Sequence, residues 1–227
     1  MNSFISAEDA ALSERLLRDG YVIEQAESAD DLTALHSLVA EVLGWPNLDE
    51  AHLRCAPEDL NALKLKTMAA LNGAAWVRGS YFALARKSLY ALIGNELSMQ
   101  RKFNLNVQMP NDAMSLLPVH ADTWTGDSPY QLVLWVPLVD CYRTKSMYIQ
   151  GPGGERYLDV KYGEVLIFNS SIPHGNRVNE EATTRWTINC RFKSVWSPYT
   201  VKGPGEHFEP VTLRAASRIG MAYKLPA

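Results

Sequence analysis

The chain has 227 residues, 47% of them apolar and 21% charged, with a formal net charge of −3 at pH 7. That length and apolar content suit one domain with a full core and exclude a wholly disordered chain. The balanced charge argues against a nucleic-acid-binding surface, and no apolar run is long enough to span a bilayer.

The opening stretch "MNSFISAEDAALSERLL" carries early acids and no apolar signal core, so a soluble, cytoplasmic protein is expected. Within it, "SAEDAALSERLLRDG" predicts a helix with Ser6 as N-cap, acids in the first turn and Gly20 as the stop. "YVIEQA" predicts a short strand. "SADDLTALHSLVAEVLG" repeats the helix signature from Ser28 to Gly44. Residues from Pro57 to about Gly94 keep helical spacing, with a break expected at Asn72-Gly73.

The texture changes after about Ser98. "RKFNLNVQM", "YQLVLWVPL", "SMYIQ", "RYLDV", "GEVLIFN" and "RWTINCRFKSV" are short aromatic or β-branched runs, punctuated by Gly126, Pro129, "GPGG", Gly163 and "HGNRVN". Many short strands at even spacing predict a sandwich or barrel, not βαβ units. The expected fold is α+β. A helical N-terminal layer (1–97) backs a jelly-roll core (98–200), followed by a C-terminal extension (201–227) that is Pro- and Gly-rich from Gly203 and then weakly helical, all in one compact domain. Cys55, Cys141 and Cys190 are too few and too scattered for a disulfide frame or a zinc knuckle.

Three features of the β half carry chemistry: His120-Ala121-Asp122, His174, and Arg185 eleven residues later. In extended backbone, residues two apart face the same side, so His120 and Asp122 aim at one place. Alone, the triplet is better read as a strand-edge histidine bonded to its neighbour. With His174 it becomes two imidazoles and a carboxylate, the facial ligand set of non-haem Fe(II) enzymes, although zinc and manganese fit that set too. On the last long strand, Arg185, Thr187, Asn189 and Arg191 share one face, and apolar Trp186, Ile188, Cys190 and Phe192 share the other. A guanidinium beside a hydroxyl is a good carboxylate receptor.

These residues resemble a known family. "HADTW", "YQLVLWVPLVD", "GEVLIFNSSIPHGN" and "TTRWTINCRF" together are similar to the Fe(II)/2-oxoglutarate-dependent oxygenases built on a double-stranded β-helix (cupin-like jelly roll). The likeness points to their phytanoyl-CoA-hydroxylase-like branch and to small oxygenases of carbohydrate and aminoglycoside-type biosynthetic clusters. The resemblance spans roughly residues 100 to 197. It implies that His120, Asp122 and His174 ligate Fe(II). It further implies that Arg185, with Thr187, binds the distal carboxylate of 2-oxoglutarate, and that O2 is the oxidant. A carboxylate at Asp122 implies hydroxylation, desaturation or cyclisation in preference to halogenation. "VDCYRTKSMYIQGPGGERYLDV" departs from the family's Gly-x-Leu and Pro-Gly-Ser-His pattern, which sets the substrate face apart.

The expected substrate is a small polar biosynthetic intermediate, sugar-like or amino-acid-like. Trp124, Gln131, Trp135, Asn189 and Arg191 are candidate contacts, Tyr130 is a further candidate wall, and Arg143 and Lys145 are read as solvated loop charges. An inward-facing Arg191 would favour an anionic or polyhydroxyl substrate. His36, His52 and His207 lie outside the pattern. A cupin-type isomerase or hydrolase and a non-enzymatic jelly-roll binding protein stay open as alternatives. The first of these keeps the two histidines and the aspartate but needs no carboxylate receptor at Arg185. No nucleic-acid or membrane partner is expected, and the sequence leaves the oligomeric state open.

Overall fold

The computed structural model describes residues 4–198, 201–202 and 205–224. In chain order its elements are α1 (Ala7–Asp19), β1 (Tyr21–Gln25), α2 (Ala29–Leu43), α3 (Leu60–Gly73), α4 (Val77–Ala83), α5 (Arg86–Ile93), β2 (Leu97–Gln100), β3 (Asn104–Gln108), β4 (Gln131–Pro137), β5 (Tyr148–Gly151), β6 (Gly154–Tyr157), β7 (Glu164–Asn169), β8 (His174–Gly175), β9 (Arg185–Ser194), β10 (Phe208–Pro210) and α6 (Ala215–Ala222). No helix among the described residues is long and apolar enough to cross a membrane.

The helical start follows its local signals. Ser6 accepts from the Asp9 amide at 3.0 Å and Ser28 from the Asp31 amide at 3.3 Å, so each cap satisfies an amide the helix cannot. Gly20 and Gly44 stop the two helices in the left-handed region, at φ 78° and 72°. The break at Asn72-Gly73 separates α3 from α4.

The core is a double-stranded β-helix. Its larger sheet runs β1-β7-β4-β9-β2-β10, with β3 also pairing to β9, and its smaller sheet runs β6-β5-β8. All named pairings are antiparallel. The N-terminal segment supplies the edge strand β1, and the C-terminal segment supplies β10, so both flanks are built into the sheet. Strands β2, β8 and β10 were not expected from the sequence. Each has two to four residues and no alternating pattern of its own, and each exists because a longer strand offers it a ladder. Residues 203 and 204, where the tail's Gly-Pro run begins, lie outside the described residues.

Strand parity divides the molecule. Trp186, Ile188, Cys190 and Phe192 of β9 are fully buried against the helical layer. Trp186 Nε1 donates to Leu48 O at 2.9 Å. Tyr81 of α4, also fully buried, donates its hydroxyl to Leu134 O of β4 at 2.5 Å and lies 3.3 Å from Ile188 O of β9. The layer is thereby tied to the two central strands. The opposite face of β9 turns toward the smaller sheet, and there the cavity forms.

Tyr81→Phe removes that tie while keeping the ring. A lost buried hydrogen bond costs about 1 kcal/mol. Chemical denaturation is expected to show a lower midpoint with an unchanged m-value.

Candidate active site

The two histidines are joined through their backbones. His120 N donates to His174 O at 2.9 Å, and His174 N donates to His120 O at 2.8 Å. This exchange sets the rings side by side, with centroids 4.4 Å apart. Each Nδ1 lies 2.9 Å from a carbonyl, Pro118 O for His120 and Ile172 O for His174. A carbonyl only accepts, so Nδ1 of each ring carries the proton and Nε2 keeps its lone pair. Burial lowers the His174 pKa below the ordinary histidine value, which favours the neutral, metal-binding form.

Asp122 reaches the same point by the expected route with one difference. Ala121 is extended (φ −114°, ψ 141°), so the two-residue relation to His120 holds. The extended backbone stops there, however. Asp122 opens a 3-10 turn, Asp122–Thr125, that closes on Gly126 at φ 90°. Ligand-type atoms of His120, Asp122 and His174 all lie within 4.8 Å of one another. Two imidazoles with Nδ1 turned to carbonyls and one carboxylate fit a divalent transition metal with open coordination positions.

A cavity of about 260 Å³ adjoins this cluster. Its polar wall comes from β3 and β9, with Asn104 and Asn106 facing the same side as Arg185 and Asn189. Val133 and Trp135 of β4 and Phe168 of β7 form an apolar wall.

Arg185 is 3% exposed and has no carboxylate partner among the described residues. It donates to Ser146 O at 3.1 Å and to Asn106 Oδ1 at 2.5 Å, and its Nε has no partner. Burial brings its pKa down to about 10, so it is still a cation at neutral pH. The Thr187 hydroxyl, two residues along the same face, is buried and also unpartnered. A buried cation facing a cavity with neutral partners alone is costly unless an anion completes it.

The other candidates separate. Trp135 is 5% exposed and lines the cavity. Asn189 lines it too, accepting from Asn104 Nδ2 at 2.9 Å. Arg191 lines it but presents no free charge, because it clasps Asp122 through Nε (2.9 Å) and Nη2 (2.5 Å). Four expectations, for Gln131, Trp124, Tyr130 and Lys145, need correction. Gln131 does not reach the cavity: it is fully buried at the start of β4, and its amide donates to Asp127 Oδ1 (3.0 Å) and accepts from Ser128 N (3.3 Å). Trp124 is 65% exposed and does not line the cavity, because the 3-10 turn carries it outward. Lys145 is not a solvated loop charge but 1% exposed, bonded to Asp49 at 2.5 Å and Thr183 at 2.6 Å. Tyr130 and Arg143 are exposed outside the cavity, and His36, His52 and His207 do not line it. The sequence reading missed Asn104 and Asn106. Their signal was the alternation in "NLNVQ", polar at every second position.

No protein-family model matches the chain. The streptomycin biosynthesis protein StrG of Streptomyces griseus is 29% identical over 110 residues, which cover 47% of this chain and 53% of that protein. The match therefore spans about half the length of that curated relative. Among solved structures, a nickel complex of the non-haem monooxygenase ThoJ aligns with a TM-score of 0.62 at 16% identity, covering 91% of this chain and 85% of that one. EctD from S. alaskensis, with 2-oxoglutarate and 5-hydroxyectoine, aligns at 0.55 and 20% identity, covering 84% and 77%. The epimerase SnoN, in complex with Fe3+, alpha-ketoglutarate and nogalamycin RO, aligns at 0.52 and 15% identity, covering 83% and 84%. The chain has the fold of the non-haem, 2-oxoglutarate-dependent enzymes, with a cupin-like jelly-roll core.

Gly175 tests how tightly the site is packed. A Cβ there would lie 2.8 Å from the backbone oxygen of Leu117 and 2.9 Å from the Tyr148 hydroxyl. Gly175→Ala must push the segment before His120 away from β8. Overpacking of this kind costs about 1–3 kcal/mol. Thermal unfolding with and without Mn(II) is expected to show a lower midpoint and a smaller metal-induced increase than in the unaltered chain.

Proposed function

We propose that this protein is a non-haem Fe(II)/2-oxoglutarate-dependent oxygenase that oxidises a C–H bond of a small molecule. One observation carries the reading. The His120–Asp122–His174 cluster and the buried, carboxylate-free Arg185 line one cavity. A metal-binding protein without this chemistry needs the first and not the second. The fold of the solved neighbours supports the same reading.

His120 and His174 hold the iron through Nε2, and Asp122 holds it through its carboxylate. When bound, Fe(II) and 2-oxoglutarate would supply dioxygen activation and the two electrons it needs beyond those of the substrate. Arg185 binds the distal carboxylate of 2-oxoglutarate, with the Thr187 hydroxyl beside it, in charge-assisted hydrogen bonds. Asn104 and Asn189 offer neutral donors and acceptors along the wall between Arg185 and the cluster. Val133, Trp135 and Phe168 keep water from the opposite wall.

The substrate's reacting end is neutral and polar. Besides the cluster, Arg185 and Arg191 are the charged side chains lining the cavity; the first is assigned to the co-substrate, and the second is offset by Asp122. This replaces the anionic alternative tied to Arg191. A hydroxyl-bearing, sugar-like intermediate fits, and the outcome is hydroxylation, desaturation or cyclisation.

Anaerobic addition of Fe(II) and 2-oxoglutarate is expected to produce a visible metal-to-ligand charge-transfer band. Arg185→Ala is expected to weaken 2-oxoglutarate binding at least about 30-fold, the cost of removing one partner of a buried charge pair, while iron binding persists. No band with iron demonstrably bound, or full 2-oxoglutarate affinity in the variant, contradicts the proposal.

A further inference from the structure

Arg191 belongs to a chain of four charges that reaches from the candidate metal centre to the C-terminal segment. Its Nε and Nη2 grip both oxygens of Asp122, at 2.9 and 2.5 Å. Its Nη1 donates to Gln100 Oε1 at 3.1 Å. The same Nε lies 3.7 Å from Asp127 Oδ2, and that oxygen accepts from Lys202 Nζ at 2.5 Å. Gln131 holds the other Asp127 oxygen. The two carboxylates are the most buried members and Lys202 the most exposed. The side chains of Asp122 and Asp127 are 4% and 2% exposed, that of Arg191 15%, and that of Lys202 28%.

A buried carboxylate such as Asp127 is costly to keep charged without cations. Here it has one on each side. The planar fork of Arg191 fixes the tilt of the Asp122 carboxylate in a way that a point charge does not. Asp122 has no other charged partner among the described residues.

We propose that Arg191 is a positioning residue that holds the Asp122 carboxylate in its metal-binding orientation, and that Asp127 and Lys202 support it from behind, making the C-terminal segment part of the metal site's scaffold. This rests on the assignment of His120, Asp122 and His174 as metal ligands. Gripped by the fork, Asp122 enters the metal-free state already oriented, and less side-chain freedom is lost on binding. Lys202, at the exposed end, contributes least and is the member that salt screens most.

The test is Co(II) titration of the full chain, followed by its visible absorption without 2-oxoglutarate or turnover. Loss of a partner of a metal ligand typically weakens metal affinity about 10–100-fold, and Arg191→Gln is expected in that range. Arg191→Lys keeps the charge and loses the fork, so it is expected to recover only part of the affinity. Lys202→Met is expected to lose about two- to fivefold at low salt and less at high salt. Because Lys202 is partly exposed, this variant keeps the test alive if the Arg191 variants do not fold. Unfolding of the metal-free proteins, measured alongside, separates positioning from mere stability. Co(II) affinity unchanged or tighter in Arg191→Gln, full rescue by lysine, or no salt-dependent loss in Lys202→Met overturns the inference. If the unaltered chain itself binds no Co(II), the ligand assignment fails, and that result is distinct from the other three.

Discussion

Everything at the site depends on one backbone contact, the paired hydrogen bonds between His120 and His174. They bind the end of an irregular loop to a two-residue strand, beside the Asn176 N–Leu117 O bond that joins the same two segments. Once paired, each imidazole turns its Nδ1 to a carbonyl two residues back, Pro118 O or Ile172 O. The free nitrogens then face a common point, and extended Ala121 carries Asp122 to it. β8 is held in turn by β5, and Gly175 lets Leu117 and Tyr148 close over it without a side chain in the way.

The second organising feature is the unequal treatment of two arginines on one face of β9. Arg185 is buried among neutral acceptors, and Arg191 is offset by two carboxylates. An uncompensated cation and a compensated one, in the same cavity, divide its labour. The first keeps an unpartnered Nε, and the second is held by the Asp122 carboxylate. The long strand makes this division possible. It pairs with β3 and β4 along its length, so its inward side chains are held at fixed intervals between Lys145's loop and the C-terminal segment.

Much of this was legible in the sequence, for physical reasons. The Ser6–Gly20 and Ser28–Gly44 helices are specified by local caps and show wherever those residues flank a periodic run. β9 was legible because its two faces meet chemically different surroundings, so period two is written in polarity. The strand β8 was not legible, since two residues hold no pattern and the strand exists through its partners. Gln131 has the parity of Val133 and Trp135, yet it sits past the end of the cavity, where Asp127 takes its amide. Lys145 lies in a polar loop, and its burial depends on Asp49, brought from the helical layer by the fold. The run of ion pairs from Asp122 through Arg191 and Asp127 to Lys202 joins separate stretches of chain, which strand parity could not foresee.

The central claim is that the ligand cluster and Arg185 form one divided receptor for a metal and a 2-oxo dicarboxylate. Calorimetric titration of 2-oxoglutarate into the metal-free and the Mn(II)-loaded protein tests it most directly. Coupling between two ligands is reciprocal. The account predicts at least about tenfold tighter 2-oxoglutarate binding in the loaded protein, with Mn(II) affinity raised by the same factor when 2-oxoglutarate is present. Equal affinity with and without metal would mean that the two halves of the site do not share a ligand, and would contradict it.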